Sequence, residues 1–348
     1  MVSPVLVPAK SIGPVRIISK EFDGEVNVPL ATFESPLWPS TNRGAKVSRQ
    51  SNGIQAVILD DRMTRSVLVE APDAMTAKRI VDQLRERRDA MELIIAATSR
   101  FAHLDNWHTQ IVGNLIYLRL ELTTGDAAGH NMVTKAADHL LAWLLNEYSM
   151  LKYVSVSGNF CVDKKVSAVN GILGRGKSVV AEAIVPREVV KKTLKTTPEK
   201  LVNLHIKKNL LGSIIAGGLR TANAHFANVL LGFYLATGQD VANIVEGSQG
   251  FVHSELRGED LYFSVNIPNI ILGTVGNGKE LPFVTENLTQ MHCLEPGLPG
   301  FNARKLAIIL AATVWCGEIS LLAAQTNPGE LMRAHELFER KSHTENLV

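Results

Sequence analysis

The spacing of apolar residues between positions 66 and 157 predicts six alternating elements. These are a strand at SVLVEAP, a helix over 74–90, a strand hairpin over 101–112 and 114–122, a helix over about 130–149 and a closing strand at KYVSVS. The helix over 74–90 has apolar residues three and four positions apart, and in the second hairpin strand leucines alternate with Arg119 and Glu121. The order β-α-β-β-α-β predicts a ferredoxin-like domain.

The rest of the chain, 1–65 and 158–348, is expected to form a larger, helix-rich domain into which the small one (66–157) is inserted. Ala/Gly/Leu stretches such as 208–237 predict closely packed helices. The most apolar stretch, 306–324, is interrupted by Gly317 and Glu318 before it reaches the roughly 20 residues that a bilayer crossing needs. It is therefore predicted to be a buried core helix, and the fold class is α+β.

Composition and charge exclude several classes of protein. The 348 residues are 46% hydrophobic and 20% charged, which is ordinary for a globular chain of about two domains and excludes disorder. The formal net charge is +2 with scattered Lys and Arg, so nucleic acid and an anionic membrane are not expected partners. The odd set Cys161, Cys293 and Cys316 indicates reduced thiols and a cytoplasmic location. No Cys/His cluster suggests a metal, and prolines near the N-terminus argue against a signal peptide.

One motif, GILGRGKS at 171–178, fits the phosphate-loop pattern. Such a loop functions only between a strand and a helix, because backbone N–H groups and the helix N-terminus surround the phosphates. Here VVAEAIVP follows, with β-branched residues that favour a strand, and the only candidate magnesium-binding strand, 54–61, lies upstream. The motif is better explained as a tight turn into a strand, and a phosphate-loop NTPase remains an alternative.

A longer series of motifs carries a resemblance. In chain order they are PLATFESPLWPSTNRG (29–44), DRMTR (61–65), SRF (99–101), TGDAAGHNM (124–132), SGNFCVDKK (157–165), KKNLLGS (207–213), NAHFAN (223–228), TGQD (237–240), GTVGNG (273–278) and GELMRAH (329–335). Over most of its length the chain resembles class I 3-hydroxy-3-methylglutaryl-CoA (HMG-CoA) reductase, in a soluble form with a shortened N-terminus. The resemblance implies an inserted small cofactor domain and a C-terminal flap at about 326–348.

The implied reaction is the NADPH-dependent, four-electron reduction of HMG-CoA to mevalonate and free CoA, in the mevalonate pathway. Hydride addition to a thioester builds an oxyanion that needs a fixed cation, and the later steps need proton donors. The resemblance assigns the cation to Lys164, a proton donor to Glu34, a coupling carboxylate to Asp240 and the acid for the CoA thiolate to His335. Taken alone, Asp240 fits a helix N-cap equally well, and Lys164 a solvated turn charge.

The resemblance also implies contacts with both ligands. The substrate-binding residues are Arg65, Ser157, Asp163, Lys165 and Asn228, with Ser40, Asn42, Arg43, Lys208 and His225 at positions associated with CoA. The cofactor-binding residues are Ser99, Arg100, Phe101, Asp126, Gly129, Asn131, Met132, Val275 and Gly276. Ser99 and Arg100 match residues that hold a ribose 2′-phosphate, which favours NADPH and leaves NADH open. Ala128 and His130 replace two methionines usual in the family's cofactor motif.

The expected assembly is a homodimer, or a higher homo-oligomer built from dimers, because active sites of this family draw residues from two subunits. The expected partners are HMG-CoA and CoA, with no nucleic acid and no membrane. An alternative of a different class is a homologue that binds CoA thioesters but has lost catalysis.

Overall fold

One long strand connects two β-sheets in the computed structural model of the chain, which describes residues 5–337. The strands are β1 (Ala9–Ile18), β2 (Asp23–Ala31), β3 (Ile54–Glu70), β4 (His103–Val112), β5 (Leu115–Thr123), β6 (Lys152–Ser155), β7 (Gly176–Val185), β8 (Thr221–Ala222), β9 (Gly250–Arg257) and β10 (Asp260–Ile270). The first half of β3 pairs with β7, and its second half pairs with β5 and β6.

Helices cover these sheets. They are α1 (Leu37–Gln50), α2 (Ala74–Glu86), α3 (Arg88–Ala96), α4 (His130–Glu147), α5 (Ala168–Leu173), α6 (Arg187–Val189), α7 (Pro198–Leu204), α8 (Ser213–Ile215), α9 (Phe226–Ala236), α10 (Ile244–Gly247), α11 (Pro282–Gln290), α12 (Phe301–Gln325) and α13 (Glu330–His335). Wider helical turns extend α6 over Val190–Leu194 and α7 over His205–Gly212, and the short turn Val241–Asn243 precedes α10. The chain therefore has the predicted mixed α+β class.

The small sheet has the strand order β6-β3-β5-β4, with every neighbouring pair antiparallel. Leucines of β5 and apolar residues of α2, α3 and α4 form one buried cluster against it. The predicted helix over 74–90 is interrupted at Arg87, where α2 ends and α3 begins. Arg119 and Glu121, on the other face of β5, are also buried, because the turn after α5 covers that face.

The large sheet has the order β2-β1-β3-β7-β10-β9-β8 and packs against α1, α9 and α12. The larger part of the chain, predicted to be helix-rich, thus also contains many strands. The continuous helical stretch predicted over 208–237 is wrong, since α8 ends at Ile215 and β8 intervenes before α9. The predicted strand after GILGRGKS is confirmed as β7.

Helix α12 forms the centre of the larger core, as predicted for 306–324. Among the described helices it alone is long and apolar enough to cross a membrane, and 94% of its most apolar window is buried inside the fold. Trp315 anchors it by donating from Nε1 to the carbonyl of Phe263 at 2.9 Å. Helix α1 crosses it at Gly44, where a Cβ atom would lie 2.0 Å from the carbonyl oxygen of Cys316. Only glycine allows the two backbones to approach this closely.

Candidate active site

The loop that carries Lys164 is held in a strained conformation. Asn159, Val162 and Lys164 all have positive φ angles, of 59°, 43° and 55°. Such angles are uncommon for residues other than glycine, and for the β-branched Val162 the conformation is a true outlier. Strain of this kind persists only where surrounding contacts enforce it, and it concentrates at functional sites.

Lys164 and Asp240 form a direct ion pair, with Lys164 Nζ 2.7 Å from Asp240 Oδ2. The hydrogen bond that Lys164 donates to Asp240 raises the pKa of Lys164, although partial burial opposes it. Burial acts to raise the pKa of Asp240, but hydrogen bonds from Lys164 and from the Ala242 N–H outweigh it and lower that pKa. At neutral pH the pair is an ammonium and a carboxylate. Asp240 also accepts from the Ala242 N–H, so it caps the following turn, as its N-cap interpretation predicts.

A network of charged side chains, centred on the buried Arg175 and Glu246, contacts the loop that carries Lys164. Arg175 Nη1 lies 3.0 Å from Asp163 Oδ1 and 2.8 Å from Glu246 Oε1, and the Lys164 N–H donates to the same Glu246 oxygen at 3.1 Å. Arg65 reaches Asp163 more loosely, at 3.8 Å. Sequence reasoning missed Arg175 and Glu246, because their role depends on contacts that no local pattern records.

All of these residues except Glu246 border a cavity of about 600 Å³, called here the lysine cavity. Its lining includes Arg65, Ala128, Gly129, His130, Asn131, Met132, Asp163, Lys164, Arg175, Asp240, Val275 and Gly276. The His130 ring contributes a nitrogen, Nε2, that is closed to solvent and has no hydrogen-bond partner in the described part of the chain. Burial, and then repulsion by Arg175 and Lys164, lower the pKa of His130, so the ring is neutral near pH 7.

Glu34 lines a different cavity, of about 350 Å³, called here the glutamate cavity. Its lining includes Glu34, Ser40, Arg43, His225, Asn228, Glu330, Leu331 and His335. Asn228, in the first turn of α9, donates from Nδ2 to Glu34 Oε2 at 2.7 Å. The start of α9 is fixed by the buried Glu318, which accepts from the backbone N–H groups of Ala224 and His225.

The short helix α13 closes one side of the glutamate cavity. Arg43 donates from Nη1 to Glu330 Oε1 at 2.7 Å and from Nη2 to the carbonyl of Ser320 at 2.7 Å. Ser40 shares a 3.0 Å hydrogen bond with the Ser320 hydroxyl. These contacts bring His335, on the same helix as Glu330, to the cavity that contains Glu34.

The four residues assigned to catalysis thus form two pairs within one chain. Lys164 and Asp240 line the lysine cavity, whereas Glu34 and His335 line the glutamate cavity, and the two linings have no residue in common. Within one chain, the residue predicted as the fixed cation therefore lies in a different cavity from the two predicted proton donors.

A third cleft, of about 740 Å³, lies beside the small sheet and contains Arg100 and Phe101 with Asp61, Gly125 and Arg304. The Arg100 guanidinium stacks over the Phe101 ring at 4.6 Å. Ser99 turns its hydroxyl back to accept from the Phe101 N–H at 3.3 Å. The cleft, called here the arginine cleft, therefore offers cations but few anionic groups.

Two glycine-rich segments, 124–129 and 273–276, pack closely against each other between the arginine cleft and the lysine cavity. Gly129 has φ +94°, and a Cβ on Gly273 would lie 2.4 Å from the Ala128 nitrogen. Asp126 accepts from the N–H groups of Gly300 and Ala303, both at 2.9 Å, so its carboxylate caps α12. These two contacts fix the loop that carries Asp126 against the start of α12.

Six predicted contact residues line none of the three cavities: Ser99 and Asp126, described above, and four substrate or CoA residues that each have another contact. Asn42 accepts from the Gly13 N–H at 2.9 Å, and Lys165 donates to the carbonyl of Asp163 at 3.1 Å. The exposed Ser157 donates its N–H to the Ser155 hydroxyl. Lys208 donates to Asn209 at 3.1 Å, and burial lowers the pKa of Lys208 despite the attraction of Glu318.

The GILGRGKS segment does not have the geometry of a phosphate loop. Its carbonyl groups point to arginines: Gly171 accepts from Arg220, Leu173 from Arg62, and Gly174 from Arg119. A phosphate site needs N–H groups and a following helix, but the segment leads into β7. Lys177 is buried and pairs with Asp61 at 3.0 Å, so it is not available to a nucleotide. Within residues 5–337 no group of three or more His, Cys, Asp or Glu side chains could hold a metal ion.

Comparison with known proteins identifies one family by sequence. The family model described as hydroxymethylglutaryl-coenzyme A reductase matches residues 1–340. The 3-hydroxy-3-methylglutaryl-coenzyme A reductase of Aeropyrum pernix is 44% identical over 341 residues, covering 97% of this chain and 80% of the relative. That of Pyrococcus abyssi is 44% identical over 343 residues, covering 98% and 84%.

Among solved structures, the class II 3-hydroxy-3-methylglutaryl-CoA reductase of Streptococcus pneumoniae, bound to NADPH in open conformations, superposes with a TM-score of 0.72. The match covers 94% of this chain and 86% of that one, at 16% sequence identity. At this identity the likeness concerns the fold alone.

Proposed function

Because the chain belongs to the hydroxymethylglutaryl-coenzyme A reductase family, we propose that it reduces HMG-CoA to mevalonate and free CoA with two equivalents of NADPH. The observation that carries this proposal is the Lys164–Asp240 pair in a cavity bordered by the two glycine segments. The reaction places the protein in the mevalonate pathway of isoprenoid biosynthesis.

Lys164 supplies the fixed positive charge that the reduction requires. Each reduction step builds negative charge on the carbonyl oxygen of the substrate, and a preorganised ammonium group stabilises that charge better than mobile water does. Asp240 holds the ammonium in place and raises its pKa, so that the group stays charged. Arg65, near Asp163, is the cation proposed to pair with the free carboxylate of the substrate.

Glu34 and His335 are proposed as the proton donors. Reduction of the intermediate aldehyde needs a proton on oxygen, and release of CoA needs a proton on sulfur. The glutamate cavity supports these roles, because it holds both side chains together with Ser40, Arg43, His225 and Asn228. When CoA binds, Arg43 would exchange its contact with Glu330 for a contact with a CoA phosphate.

The cofactor site is proposed to extend from the arginine cleft across the segments 124–129 and 273–276 to the lysine cavity. Its residues fit a dinucleotide: Arg100 offers a cation for a 2′-phosphate, and the close packing at Gly129 and Gly273 leaves no room for side chains there. When bound, the reduced nicotinamide supplies the hydride. His130 would offer a neutral imidazole to a nicotinamide bound in the lysine cavity, which it lines. We propose NADPH as the cofactor, with NADH as the weaker alternative.

We propose the residues from 66 to 157 as the NAD(P)-binding domain, and those from 1 to 65 and from 158 to 348 as the substrate and CoA domain. The strand order of the small sheet supports the first assignment. The flap is proposed over about 326–348, of which 338–348 lie outside the described residues. Three free, buried cysteines agree with a reducing, cytoplasmic compartment.

The test is a stoichiometric assay with purified protein. Loss of NADPH absorbance on addition of HMG-CoA should equal two cofactors for each thiol released, and Lys164→Met should reduce kcat by at least about 100-fold. The matched control is Lys78→Met, since Lys78 forms a comparable but exposed ion pair with Asp82. Absence of NADPH oxidation by folded wild-type protein that still binds CoA would favour the binding homologue instead.

We also propose a homodimer in which Lys164 and Asp240 of one subunit meet Glu34 and His335 of the other. The separation of the two pairs within one chain supports this arrangement. Glu34→Gln and Lys164→Met proteins, each inactive, should recover activity when their subunits are exchanged, because a mixed dimer contains one intact site. Random exchange should restore about a quarter of the wild-type activity. No recovery, although mixed dimers form, would place Glu34 and Lys164 of each site in one subunit and refute the arrangement.

A further inference from the structure

We propose that Arg175 and Glu246 are positioning residues that hold both members of the Lys164–Asp240 pair at their working separation. This inference rests on the proposed reductase function, but it concerns two residues that neither the motifs nor the resemblance assigned. Arg175 belongs to the GILGRGKS segment. That segment does not have the geometry of a nucleotide site, and no other function has been assigned to it.

A single oxygen of Glu246 collects the contacts that support the pair. Glu246 Oε1 accepts from the Lys164 N–H at 3.1 Å, from Asn243 Nδ2 at 3.0 Å and from Arg175 Nη1 at 2.8 Å. Asn243 in turn donates its N–H to the carbonyl of Asp240 at 3.1 Å. The Glu246 carboxylate therefore contacts the Lys164 backbone directly and is connected to the Asp240 backbone through Asn243.

Arg175 fixes this arrangement by bridging two carboxylates. Its guanidinium is almost fully buried, as is Glu246, and it also contacts Asp163, the residue that precedes Lys164. Breaking a buried ion pair is strongly unfavourable, because one charge remains uncompensated. The strained φ angle of Lys164 requires such enforcement, since nothing in the loop sequence favours a left-handed lysine.

The turn before Arg175 is itself anchored on three sides. Arg62 and Arg119, from β3 and β5, donate to the carbonyls of Leu173 and Gly174, and the Arg175 N–H donates to the carbonyl of Pro268 at 3.3 Å. These contacts connect both sheets to the Lys164 loop. The GILGRG segment is thus a turn whose carbonyl groups accept hydrogen bonds from arginines. It positions Arg175 next to Asp163 and Glu246.

The charges that face Lys164 are Asp240, Asp163 and Glu246, which favour its protonated form, together with His130 and Arg175 across the cavity. Glu246→Gln keeps the shape and the acceptor oxygen but removes one of these negative charges. Its removal lowers the pKa of Lys164, so the alkaline limb of the kcat profile should move to lower pH. A residue that only supported the fold would not move that limb.

The experiment compares Glu246→Gln with Glu121→Gln in the full-length protein, using kcat, both KM values, the pH profile and thermal unfolding. Glu121 is equally buried and pairs with Arg119, but it is not among the charges that face Lys164. For Glu246→Gln we expect kcat to fall at least about 10-fold with little change in either KM, as expected for misplacement of a reacting group. For Glu121→Gln we expect lost stability and an unmoved alkaline limb.

An unchanged kcat and pH profile in folded Glu246→Gln would overturn the proposal, as would an equal shift of the limb in Glu121→Gln. If Glu246→Gln does not fold, Arg175→Lys is the second variant. A lysine keeps the charge, but its ammonium group ends closer to the backbone than Arg175 Nη1, the nitrogen that contacts both carboxylates, so kcat should still fall. A full wild-type rate in that variant would refute the bridge. Absence of activity in the wild type would instead contradict the reductase function.

Discussion

Replacement of Asp240 by asparagine separates its two roles. Asparagine is as good an N-cap as aspartate, so the capping contact with the Ala242 N–H is preserved while the charge opposite Lys164 is lost. Both side chains of the ion pair are about two-fifths exposed, at 39% and 42%. Exposed pairs contribute about 0–1 kcal/mol to stability. Unfolding of Asp240→Asn should therefore shift by a few degrees at most.

The effect on the rate should be much larger. The 2.7 Å contact is a charge-assisted hydrogen bond, a class that contributes about 1.5–3 kcal/mol. If that energy is realised in the transition state, kcat falls roughly 10- to 100-fold. The alkaline limb of the pH profile of kcat should also move to lower pH. The reason is that the contact with Asp240 makes the largest contribution to the raised pKa of Lys164.

The assay follows NADPH oxidation under saturating HMG-CoA, with thermal unfolding measured in parallel. The control is Asp73→Asn, because Asp73 caps α2 through the Thr76 N–H at 2.7 Å on the exposed surface of the small unit. It should leave both rate and stability near the wild-type values. If Asp240→Asn keeps the full rate whereas Asp240→Ala loses both stability and rate, the cap is the only role of this residue and the catalytic assignment is refuted.

Three further changes have definite expected outcomes. Arg100→Gln should raise KM for NADPH about 10- to 100-fold and leave KM for NADH nearly unchanged, because a 2′-phosphate contact is charge-assisted; equal effects on both cofactors would contradict this. Burial lowers the pKa of His205 to about 4. The folded chain therefore binds fewer protons than the unfolded chain between about pH 6.5 and 4. The free energy of unfolding should fall by about 3 kcal/mol in all as the pH drops through this window. Denaturant unfolding of His205→Gln should show a flatter pH dependence, and an unchanged slope would exclude His205 as the cause. Gly44→Ala should destabilise the fold by about 1–3 kcal/mol or more, because its Cβ would overlap the Cys316 carbonyl, and an unchanged midpoint would show that the helices can separate at little cost.

Short-range patterns identified the elements of the small unit well. The helix at 130 and the hairpin strands near 103 and 115 begin within about two residues of their predicted starts, because apolar periodicity is a local property of the chain. The same reasoning gave a single helix over 74–90 and a continuous one over 208–237. It failed there because a break at Arg87 and the pairing of β8 with β9 depend on neighbours distant in sequence.

The sequence also determined the types of residue that the chemistry requires. It indicated Lys164, Asp240, Glu34 and His335 through motifs, and the family match supports the reaction. It could not show that Lys164 and Asp240 are in contact while Glu34 and His335 lie in another cavity, since these distances depend on how α9, α13 and the Lys164 loop pack.

Buried charges show most clearly what only the tertiary structure decided. By sequence pattern Arg119 and Glu121 belong to the polar face of a strand, and Arg175 to a tight turn. All three are buried, because the turn after α5 covers that face of β5 and carries Arg175 inward to Glu246, 71 residues along the chain. Apolar spacing reports which residues avoid water. It does not report which charges find partners, because a buried ion pair is stable only when the fold brings both members and their hydrogen-bond donors together.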